Sequence, residues 1–422
     1  MSLLLKQINK INKTFFLGAF FFLSIIFSYI FSEDTLGGAK HDYLFHEKFI
    51  ILFAEDFKNT FNNYGQDDLF ARNSPIFYIF LSFIYKAGLD LDTIRYVNII
   101  SIPLLIYIFY SCLKIKFKNI TNASLLLMSF VIFLSPTVRS LAVWPYPILY
   151  GFILFLFSVK FYLKFNQVKK NKINEALKNT LFLALASYIT PNFSVFVIFF
   201  LYKYFLEFKN TKYFFYILVL NFLLAAPATI YYFINDFYLV KYSVSSVDLS
   251  IKLNLFNKIV IILSLISFYF IPFLNKKLII KTIDVLKNVK KEYFSIIFLL
   301  ICLFLFNFPS GNFGGGIFYH ISQYIFENNF LLFIVFSYSI FLFKESKLVS
   351  LNNFLLFSCL ILYNLQVSIY HKYFDPLLLF IFLFLLEKIQ IKNQRSFLDI
   401  TKNYYILYLI FLGMSLYKVN FL

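Results

Sequence analysis

Residues 15 to 31 read FFLGAFFFLSIIFSYIF, an uncharged apolar run with Lys6, Lys10 and Lys13 before it and Glu33 and Asp34 after it. A helix crosses a bilayer with about 20 apolar residues, or fewer where flanking Lys and Tyr reach the interface. The run therefore predicts a crossing whose basic side lies in the cytoplasm. A basic stretch followed by an apolar one also opens secretory signal peptides. Here the run closes on Tyr29-Ile30-Phe31-Ser32-Glu33, with no small-residue cleavage pattern, so it is expected to stay as a signal anchor.

The rest of the chain extends this reading. Of its 422 residues 60% are hydrophobic and 14% charged, against about 45–50% and about 25% in soluble domains. So little charge cannot coat so much apolar surface in water, whereas lipid demands no polar coat. A soluble protein is excluded, and a net charge of +18 becomes a question of which loops hold the Lys and Arg rather than a sign of nucleic acid. Cys112, Cys302 and Cys359 stand in apolar runs without metal-type spacing and read as packing residues. The many Phe and Tyr fill apolar positions throughout and point to no aromatic ligand box.

The fold expected is an all-α polytopic membrane protein of about thirteen transmembrane helices, a single integral membrane domain over residues 1–422. The segments run near 15–31, 94–113, 121–135, 144–163, 175–189, 191–207, 213–233, 253–274, 293–308, 329–343, 349–368, 374–387 and 403–419. With the N-terminus inside, 26 of the 39 basic residues fall in cytoplasmic segments and 14 of the 21 acids fall outside, as the positive-inside rule requires. One miscounted helix would swap sides for everything after it, so the alternation supports an odd number of crossings. Around Thr190-Pro191-Asn192 two crossings share little more than thirty residues, and either tilted half-spans or a re-entrant hairpin returns the chain to the cytoplasm at Lys203.

One exterior segment, 32–93, differs from the short loops that join the remaining bundle, 94–422. It holds eight acids up to Asp68, with His41 and His46, and two apolar stretches near 43–61 and 75–87 that are too short or broken to cross and read as helices lying in the interface. A second loop, 309–328, has Gly311, Gly314, Gly315 and Gly316 before another such stretch and His320, which could gate an entrance.

Chemistry concentrates at the start of the first loop. In a helix beginning near Asp42, His46 lies one turn on along the same face, so the two can share a proton or a cation. Asp42 can equally be a helix cap. Farther on stand Arg72-Asn73-Ser74-Pro75, then Gly88, then Arg95. This order resembles the polyprenyl-phosphate-sugar-dependent glycosyltransferases of the GT-C fold, which include the lipid A aminoarabinose transferase and the protein O-mannosyltransferases. In that superfamily an acid follows the first span and starts a juxtamembrane helix, a Pro motif opens a second helix that ends at a glycine, and an Arg marks the next span. Asp42, Ser74-Pro75, Gly88 and Arg95 match these in turn, over about the first hundred residues. The Pro motif lacks its usual His or Lys, and Val138-Arg139-Ser140 stands where a second acid is common, so the resemblance leaves a divalent metal unknown.

The resemblance implies a membrane transferase in the cytoplasmic (inner) membrane, acting on its exterior or periplasmic face. Its donor is a polyprenyl-phosphate-linked sugar and its acceptor a lipid-linked glycan, lipopolysaccharide or protein. Asp42 is then the general base, with His46 beside it. Arg72, Arg95, Arg139, and His371, Lys372 and Tyr373 of the late loop are the candidates for binding substrate and holding the departing phosphate. Arg139 and Lys372 read equally as anchors reaching lipid headgroups. Two other functions fit a many-spanned exterior-facing protein. A lipid-linked oligosaccharide flippase or other transporter should show repeats and midplane charges; here charge sits at span ends. An O-antigen polymerase or ligase should carry its long loop late, and here it is early.

Overall fold

In the computed structural model the described residues are 2–35, 38–66, 69, 73–235, 254–286, 292–308, 314–364, 366, 368–387, 391 and 393–421. Among them the regular structure is all helix, with no strand. The chain forms two compact units: residues 1–241 with 391–422, and residues 242–390.

In the first unit α1 (Ser2–Ile30), α5 (Leu91–Lys116), α8 (Pro147–Gln167) and α11 (Lys212–Ile234) carry windows long and apolar enough to cross a membrane, and Leu255–Phe273 does so in the second unit. A sixth crossing arises if α6 (Asn122–Phe130) with its 3-10 extension to Leu134 and α7 (Pro136–Val143), bent by 68° at Ser135, are one span. The bend has a local cause: Pro136 cannot continue the preceding ladder, and Ser135 Oγ accepts the Val138 N–H at 3.1 Å to start a new helix. The α11 surface is almost wholly open, with Phe222 73% and Ile234 73% exposed. Such a face would aggregate in water and is at home in lipid. The protein is a helical, multi-pass membrane protein.

Other segments expected to cross are shorter or more polar than their apolar count suggests. Residues 175–189 lie in α9 (Lys172–Ile189), which carries Lys172, Glu175 and Lys178. Residues 191–207 start with a 3-10 turn at Pro191–Val195, leaving thirteen residues in α10 (Phe196–Phe208). Tyr293–Phe304, Phe330–Glu345 and Leu351–Tyr363 hold 12, 16 and 13 residues, and thirteen residues make a helix of only about 20 Å. Residues 374–387 form a four-residue helix and a π turn ending at Leu385. The 403–419 segment lies in a 28-residue helix, Gln394–Phe421, diluted by Asn403, Tyr404, Tyr405 and Lys418.

The first loop folds as two helical stretches where the sequence places them: α2 (Ala39–Glu55) continued by α3 (Phe57–Asn63), and α4 (Pro75–Lys86). Phe49, Ile50 and Phe53 of α2 pack on Phe77, Tyr78 and Leu81 of α4 and Ile94 of α5, forming a small apolar core. Their outer faces stay apolar and open at Leu44, Phe45, Phe80 and Phe83. Helix α8 packs closely on the Pro191–Val195 turn because Gly151 has no side chain: a Cβ there would sit 2.6 Å from the Phe193 ring.

Polar contacts gather helix ends of the first unit in two groups. Gln167 Nε2 donates to the Ile115 carbonyl at 2.5 Å, Gln394 Nε2 to Thr121 Oγ1 at 3.1 Å, and Lys172 pairs with Glu207. The other group joins the first loop to the opposite ends: Arg95 to Val143, Arg139 to Glu33, and Tyr231 Oη to the Phe61 carbonyl at 2.9 Å.

Candidate functional site

The site assembles where α2 rests on the ends of α1, α5 and α7. Helix α2 has Gly38 at its N-cap without a side-chain cap bond. Its free N–H groups are served from outside: Asp34 Oδ2 accepts Gly38 N at 2.8 Å and Lys40 N at 3.0 Å, while Asp34 Oδ1 accepts Ser140 Oγ at 3.0 Å. Capping by Asp34 leaves Asp42 in the first helical turn, where the helix dipole favours its charge.

One turn beyond Asp42 a buried polar chain begins. His46, 3% exposed, places Nδ1 2.8 Å from Tyr78 Oη, and Asn73 Nδ2 donates to the same oxygen at 3.1 Å. Tyr64 Oη bonds the Asn73 carbonyl at 2.7 Å. Burial pushes the Tyr78 phenol up, and the nearby Asp42 carboxylate adds to the push, so Tyr78 stays protonated as a donor. Tyr78, a third residue, thus bonds His46, which follows Asp42 by one turn of α2.

The cations are arranged differently from one another. Arg139, buried, spans Glu33 bidentately with Nε to Oε1 at 2.8 Å and Nη2 to Oε2 at 2.7 Å, and reaches Ser24 Oγ at 3.1 Å and Ser28 Oγ. Its donors are spent inside the protein, fastening α7 to α1. Arg95 stacks on Trp144 at 4.1 Å and Tyr29 at 4.7 Å, donates Nε to the Val143 carbonyl at 3.1 Å, and meets Asp92 at 3.3 Å. Its Nη2 is buried and makes no hydrogen bond. Lys40 lies 5.8 Å from the Trp144 ring, and Trp144 Nε1 donates to the Glu33 carbonyl at 3.0 Å. Glu47, one turn beyond Tyr43 on α2, has its carboxyl raised by burial, with Asp92 adding to the shift and Arg95 opposing it. Arg72, Asp67 and Asp68 lie outside the described residues.

A shallow polar pocket of about 540 Å³ opens at the α2–α3 elbow, lined by Glu55, Asp56, Asn59, Asn63 and Gln66 among others. Its lining begins at Leu52, ten residues along α2 from Asp42, about 15 Å, too far to touch the same sugar ring.

His371, Lys372 and Tyr373 belong to the second unit. His371 Nε2 bonds Tyr269 Oη at 2.9 Å, and Lys372 Nζ lies 5.4 Å from the Tyr370 ring. Gly314, at φ 109°, presses its backbone against Ile369, where a Cβ would meet the carbonyl oxygen at 2.7 Å, and Gly315 N donates to that oxygen at 2.9 Å. His320 stacks on Tyr324.

No protein-family model, curated protein or solved structure matches this chain. Sequence reasoning missed Tyr78 and Trp144 as members of the first site. Only Trp144 carried a signal, as the one tryptophan of the chain beside the Arg139 loop.

Proposed function

We propose that the protein is a GT-C-type glycosyltransferase that moves a sugar from a polyprenyl-phosphate donor to a glycan, lipid or protein acceptor. The observation that carries this reading is the chain of His46–Tyr78–Asn73 hydrogen bonds one turn beyond Asp42, which stands in the first turn of α2, with Arg95 and Lys40 about Trp144 near the same helix start. A lipid-phosphate sugar is already activated. The acceptor oxygen attacks the anomeric carbon, the bond from that carbon to the phosphate oxygen breaks, and the acceptor proton passes to Asp42. The departing phosphate gains negative charge, which Arg95 and Lys40 are suited to meet. Among the described residues no three His, Cys, Asp or Glu gather in one group.

The reading includes thirteen crossings in the cytoplasmic membrane, with the N-terminus inside and the first loop outside. The two groups of tied helix ends support it: Ile115, Thr121, Gln167, Lys172, Glu207 and Gln394 all come from segments assigned to the cytoplasm, and Glu33, Phe61, Arg95, Val143 and Tyr231 from segments assigned outside. Transfer of labelled sugar from a panel of polyprenyl-phosphate donors to membrane glycolipid extracts tests the function. Asp42→Asn at equal folded yield is expected to lose about 10²- to 10⁴-fold of the rate. Transfer that survives in Asp42→Asn moves the base elsewhere, and absence of transfer by the wild type with every donor removes the reading.

A further inference from the structure

We propose that the helix Lys276–Leu286 lies in the membrane interface and seats the second unit on anionic lipid headgroups through Lys276, Lys277 and Lys281. Only residues of the second unit take part, and the transferase reading is not required. The helix directly follows a crossing. Leu255–Phe273 is long and apolar enough to span a membrane, and only Leu274 and Asn275 separate it from Lys276. Pro272 lies in the 3-10 turn that closes the crossing. Asn275 starts the new helix: its Oδ1 accepts the Leu278 N–H at 2.9 Å and its carbonyl accepts the Ile279 N–H at 3.1 Å. With so short a link, the eleven residues begin where the crossing ends, at the level of the headgroups.

The helix has three distinct flanks. At about 3.6 residues per turn, Thr282 and Leu278 fall on one side, Ile279, Ile283 and Ile280 on the next, and Asp284, Lys277 and Lys281 on the third. Burial follows this division. Thr282 is buried and Leu278 half-buried, where the helix packs on Phe330–Glu345. Ile279, Ile280 and Ile283 are 37%, 48% and 46% exposed, and Lys276, Lys277, Lys281 and Asp284 are exposed as well. An open isoleucine flank beside a charged one is what a helix half-sunk in lipid presents, because one flank needs hydrocarbon and the other water. Lys276 stands within the isoleucine arc, and its long apolar stem lets the ammonium reach out to the headgroups.

Charge then selects the lipid. Three lysines against one aspartate leave the described helix positive, and basic residues at a bilayer surface attract anionic lipids. Lys276 and Lys277 also occupy the first turn, which holds no acid and where the helix dipole disfavours a cation. A headgroup with a net negative charge meets both the lysines and the dipole; a zwitterionic one offers no net charge to either.

Tryptophan quenching tests this. Trp144 would be replaced by Phe, and Ile280→Trp or, in a second protein, Ile283→Trp would place a lone fluorophore on the open flank, with gel filtration confirming fold. Each protein would be reconstituted in vesicles containing brominated phosphatidylglycerol or brominated phosphatidylcholine. The expected result is quenching by both lipids, with phosphatidylglycerol favoured about fivefold in relative binding constant. That preference should fall toward one when Lys276→Gln, Lys277→Gln and Lys281→Gln are combined, and in high salt. Quenching by neither lipid at either position would mean that protein covers the isoleucines, and overturns the interfacial placement. Equal quenching by the two lipids, or a preference that survives loss of the three lysines, overturns the role given to them.

Discussion

Arg139 lays both edges of its guanidinium on Glu33, with Nε to Oε1 at 2.8 Å and Nη2 to Oε2 at 2.7 Å, and the two side chains are only 10% and 13% exposed. The pair fastens α7 to the end of α1 and leaves Arg139 no free edge for a ligand. Breaking one half of a buried pair strands the other charge, at about 3–5 kcal/mol, whereas removing both is far milder. Arg139→Gln is expected to lower the thermal midpoint in detergent sharply, and the Glu33→Gln, Arg139→Gln double variant to recover most of it. A single variant that keeps its midpoint while the donor KM rises would instead return Arg139 to substrate binding.

Tyr78→Phe tests the chain one turn beyond Asp42. The change removes one oxygen that meets both His46 Nδ1 and Asn73 Nδ2, and losing hydrogen bonds to a buried group costs about 1–3 kcal/mol. If Tyr78 positions the base, kcat should fall with little change in KM, and its pH profile should shift. A midpoint that drops while kcat and the profile stay fixed would make Tyr78 purely structural.

The parts of this arrangement legible in the chain are those written locally. Hydrophobic runs give α1, α5, α8 and α11, and the helix starts follow from short motifs: Ser74-Pro75 opens α4, and Asp90 caps α5 through the Thr93 N–H at 2.8 Å. Glu33 and Arg139 are 106 positions apart, and no periodicity pairs them. Asp34, six residues before Lys40, takes the capping role that spacing offered to Asp42, accepting the Gly38 and Lys40 N–H groups. Apolar count alone also does not set helix length: Leu351–Tyr363 ends at Asn364, and 377–385 starts after Pro376.

Trp144 is the one tryptophan of the chain, so its fluorescence reports on the site. The ring is 6% exposed and stacked under Arg95 at 4.1 Å, a contact worth about 0.5–2 kcal/mol. Arg95→Ala opens one ring face to water and should move the emission to longer wavelength. Polyprenyl phosphate added to wild type should also change the emission if Arg95 meets the phosphate, and should not do so in Arg95→Ala. An equal ligand response in both proteins would remove Arg95 from the phosphate site.

Glu47 gives the site a pH dependence of known sign. Burial raises its carboxyl above the ordinary range, Asp92 adds to the shift, and Arg95 opposes it. Folding then favours the protonated form, so this contribution to stability is complete below the unfolded carboxylate pKa and is lost as pH rises through the higher folded value. Glu47→Gln keeps a neutral group at every pH. The variant should match wild type in acid and exceed it in thermal midpoint at neutral pH, the gap opening across the raised titration of Glu47. Arg95→Gln removes the opposing cation and should push that titration higher still. Parallel midpoint curves for wild type and Glu47→Gln from acid to neutral pH would show that Glu47 is not desolvated by its neighbours on α2.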